Sequence, residues 1–93
     1  MNDEPVDLPI TDVLDLHTFR PRDVKSLIPA YLEECRRRGI LRVRLIHGKG
    51  TGALRDTVQA ALRELPYVRR VDPAPESLGG WGATVVVLSG ERS

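Results

Sequence analysis

Aromatic side chains are scarce in this chain: its 93 residues include one Trp, one Phe and two Tyr. The core must therefore be aliphatic, and a chain of this length fills one core but not two. Cysteine is scarcer still. Cys35 stands alone, which excludes a disulfide framework and points to a reducing compartment. At helical spacing on an apolar face it reads as a small core residue rather than a nucleophile. No apolar run approaches the ~18 residues of a membrane span. The acidic start lacks the basic-then-apolar order of a signal peptide. A cytoplasmic protein with no membrane partner is the expectation. An excess of either charge is also missing, since 14 Lys and Arg face 13 Asp and Glu for a net +1. Asp3, Glu4 and Asp7 lie in the first ten residues, which carry no Lys or Arg. The remainder is mildly basic, which permits nucleic-acid binding, although a solvated surface would look the same.

What is present is organised around HGKGTGAL, from His47 to Leu54. It follows the alternating run Leu41-Arg42-Val43-Arg44-Leu45-Ile46 and precedes an amphipathic stretch. A strand, a loop carrying Gly48, Gly50 and Gly52, and then a helix brings backbone N–H groups close to an anion. The same glycines would also serve merely to tighten the turn. The loop lacks the GxxxxGK[ST] order and the GxGxxG context of nucleotide fingerprints.

Residues 1–11 hold two prolines and three acids, and extended or disordered structure is expected there, with Val6, Leu8 and Ile10 along the domain. Residues 12–17 alternate as a strand, with Leu14 and Leu16 on one face and Val13, Asp15 and His17 on the other. Pro21 and Asp23 suit the first turn of a helix. Val24, Leu27, Ile28, Tyr31, Leu32 and Cys35 then form one apolar stripe, with Arg36, Arg37 and Arg38 at the negative end and Gly39 as cap. Pro29 inside the stripe predicts a kink rather than two helices. Residues 41–47 form a second strand. Leu54, Val58, Ala61, Leu62 and Leu65 mark a second helix that Pro66 ends, and residues 68–72 form a short third strand. Residues 73–81 make a turn-rich connection. Residues 83–88, continuously apolar, mark a strand inside a sheet, and residues 91–93 are expected to fray.

The order βαβαββ, with right-handed crossovers and both helices on one face, predicts an α/β (α+β) two-layer sandwich. The apolar last strand wants a central place, which gives a four-stranded mixed sheet of order 1-2-4-3. Three segments then meet at one edge: Asp15-Leu16-His17, His47-Gly48-Lys49-Gly50 and Gly79-Gly80-Trp81-Gly82. The other face would be at least partly open and carry Arg42 and Arg44, with Arg69 or Arg70. Charges on an open face account for Arg42 and Arg44 without any function. They account less well for Asp15 and both histidines collecting at one rim.

LDLHTF (Leu14 to Phe19), IHGKGTGALR (Ile46 to Arg55) and GGWGAT (Gly79 to Thr84) resemble the Smr domain, the small MutS-related family, in order and spacing. The likeness extends from Val13 to Leu88, and the chain looks like a short, stand-alone member. The resemblance implies a domain of residues 12–90 with a fold similar to the C-terminal domain of translation initiation factor three. Members occur alone or fused to mismatch-repair-like ATPases and ribosome-associated proteins, and some nick DNA while others cleave RNA. The resemblance therefore implies a nucleic-acid partner and an endonuclease in a repair or ribosome-associated setting. It ties cleavage to Asp15, Leu16 and His17 and binding to His47, Gly48, Lys49 and Gly50. Many members read LDLHG where this chain has Thr18 followed by Phe19.

Phosphodiester cleavage needs a base, an acid and cations. His17 suits proton transfer because imidazole titrates near neutral pH, and Asp15 would orient it or hold it charged. His47 is either a second proton-transfer group or a structural bridge. Lys49, Arg55 and the amides of Gly48, Gly50, Thr51 and Gly52 would hold phosphate, with Arg42, Arg44, Gly80 and Gly82 in the wider basic and glycine-rich surface. Trp81 would either stack a base or cover the end of the core. On RNA the neighbouring 2′-hydroxyl can attack with no metal. On DNA water attacks, and Mg²⁺ or Mn²⁺ would help. One Asp and two His do not make a committed metal site. Two rivals remain open: a non-catalytic nucleic-acid-binding module and a protein-docking module.

Overall fold

In the computed structural model, residues 9–90 are described, and the elements run β1 (Val13–Asp15), α1 (Pro21–Arg37), β2 (Arg42–Ile46), α2 (Ala53–Arg63), β3 (Val68–Pro73) and β4 (Ala83–Leu88). Two 3-10 turns, Glu76–Leu78 and Gly80–Gly82, lie between the last two strands. The sheet order is β1-β2-β4-β3, as the burial of the last strand required. β1 runs parallel to β2, and β4 is antiparallel to both its neighbours. Val6, Leu8 and residues 91–93 lie outside the described residues.

β1 and β2 are shorter than the expected 12–17 and 41–47, β3 runs one residue past the expected 68–72, and β4 spans the expected 83–88. β1 ends at Asp15 because the chain turns immediately afterwards: Leu16 donates to the Ile46 carbonyl at 2.7 Å, and Phe19 then donates to the Leu16 carbonyl at 2.9 Å. Leu14 and Leu16 still point inward, and Leu16 is fully buried. At the other edge the β3–β4 register shifts between Val68 and Arg70, leaving Arg69 as the extra residue of a bulge. Arg70, opposite Val87, takes the outer face and pairs with Asp72 at 3.0 Å.

Helix α1 is a single element with Pro29 inside it. Its stripe buries Val24, Ile28, Tyr31, Leu32 and Cys35, with Leu27 partly covered. Burial pushes the Cys35 thiol up to about 11, which suits a core residue and not a nucleophile. The helix stops in a Schellman arrangement: Gly39 donates to the Arg36 carbonyl at 3.1 Å and Ile40 to the Cys35 carbonyl at 2.8 Å. The arginine run is spent on the helix end. Arg37 and Arg38 pair with Glu34, while Arg36 donates to the Ser89 carbonyl and lies 4.4 Å from the Tyr67 ring centre. Tyr31 is a core residue by its spacing, and its hydroxyl also fastens the segment that leads into β1. It accepts from the Thr11 N–H at 3.0 Å and donates to the Thr11 carbonyl at 2.9 Å.

The main core lies between the two helices and one sheet face, where Leu14, Val43, Leu45, Val86 and Leu88 meet Val24, Ile28, Leu32, Val58 and Leu62. The other face is less open than charged alternation implies. Ala74, Ala83 and Val85 form a small buried cluster with Ile46 against it. The Glu76–Leu78 turn is anchored beside this face, where Arg44 Nη1 donates to the Leu78 carbonyl at 2.9 Å.

Candidate functional site

The parallel pairing of β1 with β2 carries the C-terminal ends of both strands to one rim, since Asp15 lies opposite Ile46 in the register. One residue beyond each partner begin the turn bearing His17 and the loop bearing His47. The Gly80–Gly82 turn closes on the same loop. The Gly82 carbonyl accepts the N–H groups of His47 and Gly48, both at 2.9 Å. A Cβ on Gly82 would stand 3.2 Å from Lys49 Cγ and 3.5 Å from the Gly48 carbonyl carbon. Glycine at 82 lets the turn approach the His47 loop closely.

The first two segments frame a groove of about 250 Å³, lined by His17, Phe19, His47, Gly48, Thr51 and Arg55 among others, while the Gly80–Gly82 turn braces the loop from behind without lining it. Pro21 and residues Gly52 to Leu54 also line it. Both helices therefore begin at this groove, and the positive ends of both macrodipoles face it. Pairing with Gly82 removes the Gly48 amide from the expected phosphate donors. The Ala53 N–H is taken by Thr51 Oγ1 at 3.3 Å. The first α2 backbone bond is from Asp56 to the Gly52 carbonyl at 2.9 Å, so the amides of Leu54 and Arg55 are among the unpaired donors of a helix start.

His17 Nδ1 lies 2.5 Å from Asp15 Oδ1, and the His17 N–H donates to the same carboxylate oxygen at 3.1 Å. That side-chain bond, with the backbone bond behind it, holds the Asp15 carboxyl below the usual carboxylate range. Both side chains are more than half exposed. Nε2 of His17 makes no hydrogen bond among the described residues, so the ring presents one nitrogen to solvent while the other is held.

His47 is built differently. It is buried, with 5 % of its surface exposed. Its Nδ1 lies 3.0 Å from the Gly48 carbonyl and its Nε2 2.9 Å from Thr84 Oγ1. Those partners assign the Nδ1–H tautomer, with Nε2 accepting from the threonine hydroxyl. Burial pushes the imidazole below its ordinary pKa; the Gly48 carbonyl opposes this and the Arg55 charge adds to it. Thr84 is the residue that spacing alone missed. It is 1 % exposed on a strand of apolar neighbours, and a hydroxyl there was the available signal.

Lys49 is exposed at the loop, outside the groove lining. Arg55 lines the groove and also lies 4.9 Å from the Trp81 ring centre. Trp81 is 61 % exposed and belongs to neither buried cluster, so it does not cover the core. Gly80 is buried against the Glu76 carboxylate. Arg42 and Arg44 are not brought to the groove. They sit on the outer sheet face beside Asp12, Val13, Leu78 and Val85. Among the described residues no cluster of three His, Cys, Asp or Glu could hold a metal ion. No described Asp or Glu lines the groove, and Asp15 beside it is engaged by His17, so the donor set does not fit a protein-held Mg²⁺ or Mn²⁺. No helix among the described residues is long and apolar enough to cross a membrane.

The Smr domain profile matches residues 14–89. The chain belongs to the Smr domain family. It is 51 % identical over 75 residues to the endonuclease MutS2 of Thermus thermophilus, and 40 % identical over 75 residues to that of Carboxydothermus hydrogenoformans. Each alignment covers 81 % of this chain, and the chain spans about a tenth of the length of these curated relatives. In structure, the Smr domain of T. thermophilus MutS2 superposes with a TM-score of 0.80 at 39 % identity, covering 85 % of this chain and 99 % of that one. The Escherichia coli stand-alone small MutS-related protein YdaL shares the fold with a TM-score of 0.73 at 24 % identity, covering 86 % of this chain and 66 % of that one. This Smr domain thus sits in a family linked, through MutS2, to endonucleases acting on nucleic acid.

Proposed function

We propose that this Smr domain binds a nucleic-acid backbone in the groove and cleaves a phosphodiester bond there by acid–base catalysis. The observation that carries the reading is His17: one ring nitrogen is held by Asp15, the other has no partner among the described residues, and the residue lines the groove with the glycine loop. A Cβ placed on Gly48 would lie 3.8 Å from the His17 Cβ. In this reading Nε2 takes the proton of the attacking hydroxyl, from water or a neighbouring 2′-hydroxyl. The new P–O bond forms, the bond to the leaving oxygen breaks, and the proton is returned to that oxygen. Asp15 keeps Nδ1 protonated and so leaves Nε2 basic. Lys49, Arg55 and the helix-start amides stabilise the charge that grows on the phosphorane. His47 positions the loop: it has no ring nitrogen to spare, and burial favours its neutral form.

The test incubates the protein with labelled supercoiled DNA and structured RNA, with and without EDTA, and identifies the product ends. His17→Ala should reduce cleavage by about 10²- to 10⁴-fold, the usual share of a proton-transfer group, and leave affinity unchanged. Asp15→Asn should slow cleavage in the same direction. Binding without cleavage by the native domain would make it a non-catalytic module instead. A surface with no salt-dependent affinity for either polymer would leave protein docking as the function.

A further inference from the structure

Trp81 is the only tryptophan of the chain, and its position is physically expensive. Burying a large apolar side chain contributes roughly 1.5–3 kcal/mol, yet this one remains 61 % exposed. It is not a loose side chain on a loose loop. Its turn is tied by the bonds from Gly82 to the Gly79 carbonyl and from Gly80 to the Pro75 carbonyl, both 2.9 Å. The Gly82 carbonyl in turn holds the His47 loop. The ring is therefore displayed by a braced segment that shares its fastening with the candidate site.

Arg55 lies over one face of the indole, 4.9 Å from the ring centre. With Arg55 over one face, 61 % of the residue's surface is still open to solvent. Arg55 belongs to two adjoining depressions. It lines the groove with His17 and the glycine loop, and a second space of about 140 Å³ beside Trp81, where Gln59, Asp72 and Thr84 also lie. A backbone phosphate in the first would carry its neighbouring nucleotide toward the second.

We infer that Trp81, backed by Arg55, is a stacking platform for an unpaired nucleobase next to the scissile phosphate, so that the domain selects single-stranded or locally unpaired nucleic acid. A planar aromatic surface is matched by a base, and all bases offer one. Within a duplex both faces of each base are already stacked, so only an unpaired or extruded base can reach the ring. The cation behind the ring strengthens such stacking and stays within reach of the backbone. The inference rests on the groove binding nucleic acid, as proposed above.

Because Trp81 is the sole indole, its fluorescence reports on it directly. The protein would be titrated with a short single-stranded oligonucleotide, with the same sequence as a blunt duplex, and with the single strand carrying one abasic site in turn at each position. The expected results are quenching of Trp81 emission by the single strand, weaker binding of the duplex, and loss of quenching when the abasic site reaches the stacked position. Trp81→Ala should weaken single-strand binding by on the order of ten-fold, weaken duplex binding much less and preserve the cooperative urea transition. Trp81→Phe should restore most of the lost affinity. Tight single-strand binding with undisturbed Trp81 emission and unchanged affinity in Trp81→Ala would overturn this inference and leave the proposed function standing. Failure of the native domain to bind any of the three would overturn both.

Discussion

His17 and His47 are the same residue type at the same rim, and their surroundings give them opposite properties. His17 is exposed, with one nitrogen on Asp15 and one that no described residue engages. His47 is enclosed, with both nitrogens engaged. The consequence is measurable for His47. An unfolded chain protonates an imidazole near pH 6.5, whereas the folded domain does so only at lower pH. Between those values the unfolded state binds more protons, so stability rises with pH. The stabilisation is complete above about 6.5 and is lost as pH falls through the folded value. Urea midpoints measured from about pH 7 down to about pH 5 should therefore decline. In His47→Gln the decline should be shallower. Asp15 acts at lower pH still: its carboxyl is held down in the fold, so its contribution persists above the usual carboxylate range and disappears as pH falls through the folded value.

At the scale of the element, the strand–loop–helix from Arg42 to Arg63 carries the site, and its glycines are not equivalent. Gly52 caps α2 with φ +92, a left-handed backbone that a Cβ disfavours. Gly50 has no positive φ, and a Cβ there would meet nothing within 4 Å. Gly52→Ala should therefore lower unfolding free energy by about 1–2 kcal/mol, and Gly50→Ala should stay within about 0.5 kcal/mol of the native protein. Equal losses in urea denaturation would show that the loop does not have this conformation. The spacing of glycines was plain in the sequence, but their division of labour was not, because φ at each depends on how the loop meets Gly82 and His17. The amphipathic stripe of α1 was legible for the opposite reason. It depends only on 3.6-residue periodicity, and each of its residues reaches the core, wholly or in part.

Across the whole molecule, a net charge of +1 is too small to draw a polyanion to the surface at large. In the proposed function attraction comes from local charge: Arg55 lines the groove where both helices start, and Lys49 is exposed on the adjoining loop. Affinity for a single strand should then fall only shallowly with salt, and Lys49→Ala should reduce the slope of log K against log salt by about one. An unchanged slope would remove Lys49 from the contact. Arg42 and Arg44 lie on the face away from the helices, as the alternation of their strand predicts: cross-strand pairing aligns Arg42 with Val87 and Arg44 with Val85.

Periodicity, glycine placement and the burial of the last strand were properties of the chain by itself. They determined the element order, the 1-2-4-3 sheet and the meeting of three segments at one edge, because each follows from local spacing and crossover geometry. Whether a histidine is free or enclosed, which amide is already bonded, and where Trp81 points were decided only when β2, β4 and the Gly80–Gly82 turn packed together. Hydrogen-bond occupancy and solvent exposure belong to pairs of residues distant in sequence, such as His47 with Thr84 and Arg55 with Trp81.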